Sequence, residues 1–333
     1  MIAVLRRLRL PMALFFGVWF ALAACSPVTL HAWWSESTVR AQGFAPGLLS
    51  LPAGGQLAYR EAGQGPALLL LHGFGGNGLL HWRRTMSDLV KQYHVVTPDL
   101  LGFGDSSAGA GPLSLDAQVD ALIALIQARQ LREVRVVGIS YGGFIALELA
   151  RRLPATVSRV VIINSPGPIY QMEDLRALER RAGVESVAQL FVPATPLELR
   201  RLISMTRNQP AEVSDWLLDN MLSRYYRGRE AAMRALMDDL LHGHEGYRAR
   251  MANAALPPSV VIWSEADAVF PLPLGRLLAE RLRAPMILVE NAGHSLMADQ
   301  PDLAVQALRL GLSMAADPNR QLRLGPTDAP APN

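Results

Sequence analysis

VRVVGIS at residues 134–140, followed by YGGFIALELARRL at 141–153, decides how the rest of the chain reads. The first run is apolar and valine-rich apart from Arg135 near its start, a buried strand, and the second carries apolar residues at helical spacing. Between them stands Gly138-Ile139-Ser140-Tyr141-Gly142, a G-x-S-x-G. A sharp strand-to-helix turn at this point lifts the serine oxygen to the carboxyl edge of a sheet, and the flanking glycines let the crowded backbone close. A serine hydroxyl is a poor nucleophile unaided, so it needs a base. The helix behind it supplies oriented amides for an oxyanion.

Working outward, LAYREA (57–62), ALLLLHG (67–73) and HVVTPD (94–99) read as strands, a helix spans 114–130, and VSRVVIIN (157–164) is a further strand. Strands alternating with helices imply a parallel sheet. After Ser165-Pro166-Gly167-Pro168 the alternation stops, and residues 166–256 show helical spacing without a strand-like run. PPSVVIWSEAD (257–267) restores a buried strand, followed by a helix near 272–282, the strand PMILVEN (285–291) and a helix near 299–315. The reading is therefore a core of 46–165 and 257–315, interrupted by a helical segment at 166–256.

Four motifs, in this order, resemble the α/β-hydrolase superfamily over residues 46–315: His72-Gly73-Phe74-Gly75-Gly76, Pro98-Asp99-Leu100-Leu101-Gly102-Phe103-Gly104-Asp105-Ser106, the serine turn, and the pair Asp267 and His294. The resemblance implies an α/β fold with a mostly parallel central sheet flanked by helices, and makes 166–256 a cap over the site. It implies Ser140 as nucleophile and the backbone amides of Phe74 and Tyr141 as the oxyanion hole. Of the seven histidines, His294 stands in a loop directly after the last strand, where it can reach Ser140, and resembles the family's Gly-His motif. His72 reads as structural, His31 and His94 as surface or packing residues, and His242-Gly243-His244 lacks a third ligand in view for a metal. An imidazole that cycles through its charged form needs a carboxylate, and Asp267 is the candidate, with Glu265 an alternative two residues away. Asn164, at another strand end that the family uses for its acid, has no carboxylate, and Asp99 and Asp105 read as loop-anchoring groups.

Serine rather than aspartate as nucleophile argues against the epoxide hydrolase and haloalkane dehalogenase branches. The expectation is a carboxylic ester hydrolase, esterase or lipase, acting on a small ester with an apolar acyl group and requiring no cofactor or metal. A carbon-carbon bond hydrolase of the same fold and a non-catalytic tethered binding module are the alternatives. The carbon-carbon hydrolases typically continue Ser-Gly-Pro-Gly after His-Gly, where this chain has Phe74-Gly75-Gly76. Between Met172 and Met251 twelve acids face twelve arginines, so the cap has no net charge with which to select a charged substrate. Six methionines lie there, at 172, 205, 221, 233, 237 and 251, and serve either as helix packing or as an adaptable acyl wall.

The 333 residues include 32 Lys+Arg, 29 Asp+Glu and one cysteine. A single cysteine excludes a disulfide framework within the chain. Three arginines, Arg6, Arg7 and Arg9, fall in an acid-free stretch at 1–24, and without it acids and bases balance, which removes the case for a nucleic-acid partner. That stretch reads as an export signal with a short apolar run, and Leu22-Ala23-Ala24-Cys25 resembles a bacterial lipobox, which makes Cys25 the expected lipidation site. Ser26 in place of Asp favours the outer membrane. Residues 25–45 read as a tether whose Trp33 and Trp34 rest on lipid or dock on the domain, and 316–333 as a disordered tail. Oligomeric state is not legible.

Overall fold

The computed structural model describes residues 26–326. The chain begins with helix α1 (Pro27–Ala41) and strands β1 (Ala45–Ser50), β2 (Gly55–Ala62) and β3 (Ala67–Leu71). Helix α2 (Gly78–Leu89), strands β4 (His94–Pro98) and β5 (Ser107–Ala108), helix α3 (Leu115–Ala128), strand β6 (Val134–Ile139), helix α4 (Tyr141–Arg152) and strand β7 (Val157–Ile163) follow. Helices α5 (Met172–Ala182), α6 (Val187–Phe191), α7 (Pro196–Thr206), α8 (Asp215–Tyr225), α9 (Glu230–His242) and α10 (His244–Met251) then intervene. The chain returns through β8 (Ser259–Ser264), α11 (Leu272–Leu282), β9 (Met286–Val289), α12 (Leu296–Asp299), α13 (Pro301–Ser313) and β10 (Gln321–Leu324).

The strands form one sheet in the order β1-β2-β4-β3-β6-β7-β8-β9-β10, with β5 on β2. From β4 to β10 the pairs are parallel, and β2 is antiparallel to β1, β4 and β5. The strand period of two explains why the central strands are apolar on both faces over most of their length, with Arg135 of β6 and Ser158 and Arg159 of β7 near their amino ends. Leu69 and Leu71 of β3, Val136 of β6 and Trp263 of β8 enter a core shared with α3, α4, α11 and the cap helices. Their neighbours Leu68, Leu70, Val137 and Ile262 enter a second core with α2 and α13 on the opposite face. Parallel pairing also gathers the carboxyl ends of β3, β6, β7, β8 and β9 at one edge, where ligands bind in sheets of this kind.

The cap helices are delimited by ordinary end signals. Thr195 and Glu198 form a capping box before α7, with Pro196 in its first turn, and α5 ends at Gly183 in the left-handed conformation.

Two sequence expectations change. The segment read as a tether contains α1, whose Val28, Ser35 and Val39 are buried. Its tertiary hold includes Glu36, which accepts from Arg60 Nε of β2 at 2.7 Å as well as from Arg40 Nε within the helix at 2.9 Å. Its apolar residues fall on exposed positions, Trp33 and Trp34, as well as on the buried ones, so no single apolar stripe marks the helix and its partners had to be known first. The segment read as a disordered tail contributes β10, parallel to β9, with Leu324 buried and Arg323 paired to Glu265 at 2.9 Å and Glu290 at 3.1 Å. Four alternating residues in a Pro-rich stretch are too short a pattern to read alone. The leader and Cys25 lie outside the described residues, as do residues 327–333. No helix among the described residues is long and apolar enough to cross a membrane.

Candidate active site

Ser140 occupies the step between β6 and α4 with φ 52° and ψ −119°, a left-handed-side conformation that costs a non-glycine residue on the order of 1–3 kcal/mol. The turn is tight on both sides. A Cβ on Gly138 would lie 2.2 Å from the Gly142 carbonyl oxygen, and one on Gly142 would lie 2.4 Å from the Leu71 carbonyl oxygen. The Ser140 amide donates to Ile163 O at 2.9 Å, which ties the strained residue to the next strand.

The side chains at 140, 294 and 267 form one hydrogen-bonded line. His294 Nε2 lies 2.9 Å from Ser140 Oγ, and His294 Nδ1 lies 2.8 Å from Asp267 Oδ2. Because a carboxylate only accepts, Nδ1 carries the proton, and Nε2 presents its lone pair to the serine hydroxyl. Asp267 is fixed through its other oxygen, which accepts the Val269 and Phe270 amides at 2.8 and 2.9 Å. All three residues are buried. The Phe270 ring meets the His294 imidazole edge-on at 5.4 Å. Glu265 is directed elsewhere, to Arg323. This arrangement can move the serine proton to an imidazole whose positive charge is met by a buried carboxylate.

Two residues that pattern reading did not assign to the site hold the histidine loop. Asn164, fully buried at the end of β7, accepts the Ser264 amide at 2.8 Å and donates through Nδ2 to Ser264 Oγ at 2.8 Å and His294 O at 2.9 Å. The position that lacks an acid thus carries a strut between the acid strand and the base loop. Asp299 Oδ2 accepts the amides of Gly293 and of Asn208, each at 2.8 Å, and Ser295 donates its amide to Thr206 O at 2.7 Å. The cap segment after α7 is therefore latched onto the loop bearing His294. A lone Asn or Asp carries no motif, so sequence alone gave no signal for either role.

On the other side, the loop 72–76 lies against the serine: a Cβ on Gly73 would sit 3.3 Å from Ser140 Cβ. Tyr141 is the first residue of α4, where an amide has no intrahelical acceptor, and the Phe74 amide meets no acceptor among the described residues. His72 pins this loop, with Nδ1 at 2.7 Å from Gly73 O and Nε2 accepting the Leu100 amide at 2.9 Å. Burial pushes His72 down to about 4, so it stays neutral and can accept. His81 stacks on it at 5.6 Å and is pushed down to about 3 by burial and by His72. Asp99 accepts the Gly78 and Asp105 amides at 2.9 and 3.0 Å, and burial raises its pKa against the pull of Arg60 and those amides.

A cleft of about 630 Å³, including its open mouth, reaches Ser140 from the cap. Its walls include Leu175, Val187, Phe191 and Met237 of the cap helices, and Phe74, Phe144 and Phe270 of the core. No arginine or lysine is among the described residues that line it. His244 reaches the wall, but its Nε2 is engaged by the Tyr170 carbonyl. Of the cap methionines, Met172 and Met237 line the cleft, while Met233 and Met251 are buried packing. His242 is exposed against Asp238 O, His94 opens β4 beside Glu61 at 3.1 Å, and His31 is exposed on α1. No cluster of three metal-ligating side chains occurs among the described residues.

The family model of the alpha/beta hydrolases matches residues 68–307, which spans both halves of the sheet and the whole cap. The chain belongs to the alpha/beta hydrolase family. Within the family it is similar to the 2-hydroxymuconate semialdehyde hydrolase of Pseudomonas sp., at 28% identity over 73% of this chain and 86% of the relative. It is also similar to Lipase 1 of Psychrobacter immobilis, at 26% identity over 76% and 80% respectively. Among solved structures, a membrane phospholipase A described as a bacterial virulence factor superposes with TM-score 0.73 at 24% identity, covering 92% of this chain and 98% of its own. The last likeness is one of fold. This alpha/beta hydrolase thus has relatives named as a lipase and as a 2-hydroxymuconate semialdehyde hydrolase.

Proposed function

We propose that the protein is a serine hydrolase of carboxylic esters with apolar acyl groups. The observation that carries this reading is the unbroken Asp267–His294–Ser140 line opening into a cleft walled by apolar side chains. His294 takes the Ser140 proton as the hydroxyl oxygen attacks the ester carbonyl. The amides of Phe74 and Tyr141 receive the oxyanion, and Asp267 stabilises the imidazolium. His294 then protonates the departing alcohol, which leaves an acyl group on Ser140, and water repeats the sequence to release the acid.

The cleft also bears on the alternative. The name of the Pseudomonas relative is that of a muconate derivative, an anionic substrate, and such a group needs a cation or a ring of donors in the site. The described lining here has no arginine or lysine, its polar side chains beyond the serine turn are Tyr170, Gln171 and His244, and His244 Nε2 is already engaged by Tyr170 O, which favours an ester with a neutral apolar acyl chain. A membrane location through lipidated Cys25 belongs to the same reading: α1 starts two residues beyond that cysteine, so the anchor would hold the domain close to the bilayer.

A fluorophosphonate probe tests the chemistry. Wild type should be labelled and Ser140→Ala should not; equal labelling of both, or none of wild type, rejects it. Detergent phase separation tests the anchor. Cys25→Ala should move the protein to the aqueous phase, and unchanged partitioning rejects lipidation.

A further inference from the structure

A second cleft, larger than the first, lies between α1, α2 and α8 and is lined from all three helices, with about 1100 Å³ of space including its open mouth. Its chemistry is the reverse of the first. Arginines 40, 60, 83 and 224 line it, against two acids, Glu36 and Asp105. Glu36 is shared by Arg40 and Arg60, and Arg60 also approaches Asp99 and Asp105 at 3.6 Å. Those two cations are therefore balanced locally. Arg83 and Arg224 form no ion pair with any described residue. Arg83 instead lies over the Trp34 ring, 4.7 Å from its centroid, which orients its guanidinium without satisfying its donors.

Two buried polar atoms of the lining have no hydrogen-bond partner. One is Nε of Arg224, and the other is Oγ of Ser35, in a residue only 4% exposed. A buried donor left without an acceptor is destabilising, so such groups mark a place where an acceptor belongs. The cleft thus presents two guanidinium groups without ion-pair partners and, at its edge, the exposed Trp33 and Leu80, with the Ser35 hydroxyl buried just behind its wall. An acceptor-rich anion carrying an organic substituent matches this set: its oxygens meet the guanidinium forks, and its substituent meets the apolar rim.

We propose that this cleft is a binding site for a phosphoester anion, separate from the ester-cleaving cleft. Arg83 belongs to the core and Arg224 to the cap, so a bound phosphate bridges the two. Two sources share this chemistry, a soluble phosphoester and the headgroup of a phospholipid.

The test uses the full chain in phosphate-free detergent, titrated with glycerol 3-phosphate while tryptophan fluorescence and Tm are followed. Trp33 lines the cleft and Trp34 lies under Arg83, so saturable quenching is expected with a rise in Tm, because a ligand that binds only the folded state stabilises it. Arg83→Ala and Arg224→Ala should each weaken binding about tenfold or more, and Ser35→Ala less, with ester turnover on a short substrate retained. Arg224→Lys, which keeps the charge, should recover part of the affinity and shows that the loss is not misfolding. Saturable, arginine-dependent binding of glycerol 3-phosphate supports a soluble phosphoester. The same dependence seen only with phosphatidylglycerol vesicles, and not with digalactosyldiacylglycerol vesicles, supports a headgroup. No binding of either, equal binding by wild type and both alanine variants, or equal affinity for acetate overturns the proposal.

Discussion

The carboxyl edge of the sheet and the cap wall enclose the same serine, yet they are built by different forces. At the edge, position is set by hydrogen bonds: Asp267 accepts two amides and holds His294, Asn164 joins the acid strand to the base loop, and His72 pins the loop facing the serine. The cap wall is set by apolar contact, with Leu175, Val187, Phe191 and Met237 presenting no polar group to the cleft. Directional bonds fix geometry to fractions of an ångström, which chemistry requires. Apolar packing fixes volume, which suits acceptance of acyl chains of differing shape. The lesson is a division of labour: substitutions at the edge should change rate, and substitutions in the wall should change which substrate is preferred.

The strongest break should come at Asp267. Asp267→Asn keeps the size but disfavours the tautomer that leaves Nε2 free, and kcat should fall by about 10⁴-fold with KM little changed. A loss below tenfold in steady-state ester hydrolysis would remove Asp267 from the relay. Next is Asn164, which touches neither substrate nor serine. Asn164→Ala should lower kcat by about 10²-fold through misplacement of His294, with substrate affinity retained. If KM rises and kcat stays, Asn164 acts on the wall and the contrast between the regions fails.

The wall should respond differently. Phe191→Ala enlarges the cleft, and across a panel of p-nitrophenyl esters the preferred acyl chain should lengthen, with about a tenfold shift in the ratio of kcat/KM between long and short chains. Labelling by a small fluorophosphonate should stay near the wild-type rate. The smallest effect concerns the pin behind the edge. His72 has its folded pKa lowered from 6.5 to about 4, so the unfolded chain binds the extra proton between those values. Its contribution is complete above about pH 6.5 and is lost as pH falls toward 4, at about 1.4 kcal/mol per pH unit. Urea denaturation should show a shallower pH slope in His72→Gln, and an unchanged slope would contradict the buried neutral histidine.

The same contrast explains what the sequence revealed. Ser140 and His294 sit at strand ends inside short motifs, because a strained turn demands glycine at fixed neighbours and a relay demands few residue types. The preference for Asp267 over Glu265, both just past a buried strand, rests on the resemblance of Trp263–Asp267 to the family's acid segment, and the hydrogen bond to His294 lies on Asp267. Asn164 and Asp299 were silent as positioning groups, since their roles exist only when distant loops meet. The helix α1 and strand β10 were likewise hidden, one carried by contacts to Arg60 and α8, the other by four residues added to the edge of β9. The alternating strands and helices of the central sheet were legible because burial on both faces leaves continuous apolar runs. The wall of the cleft was not, because helical spacing marks which cap residues are buried without marking which of them face an empty volume.

The central claim is a covalent acyl-enzyme on Ser140, and the direct measurement is mass spectrometry of acid-quenched protein during turnover of a p-nitrophenyl ester. The account predicts a mass increment equal to the acyl group on the peptide bearing Ser140 in wild type, stronger in Asp267→Asn if deacylation is slowed more than acylation, and absent in Ser140→Ala. Ester hydrolysis by the wild type with no adduct on that peptide, or an adduct that survives in Ser140→Ala, would contradict it.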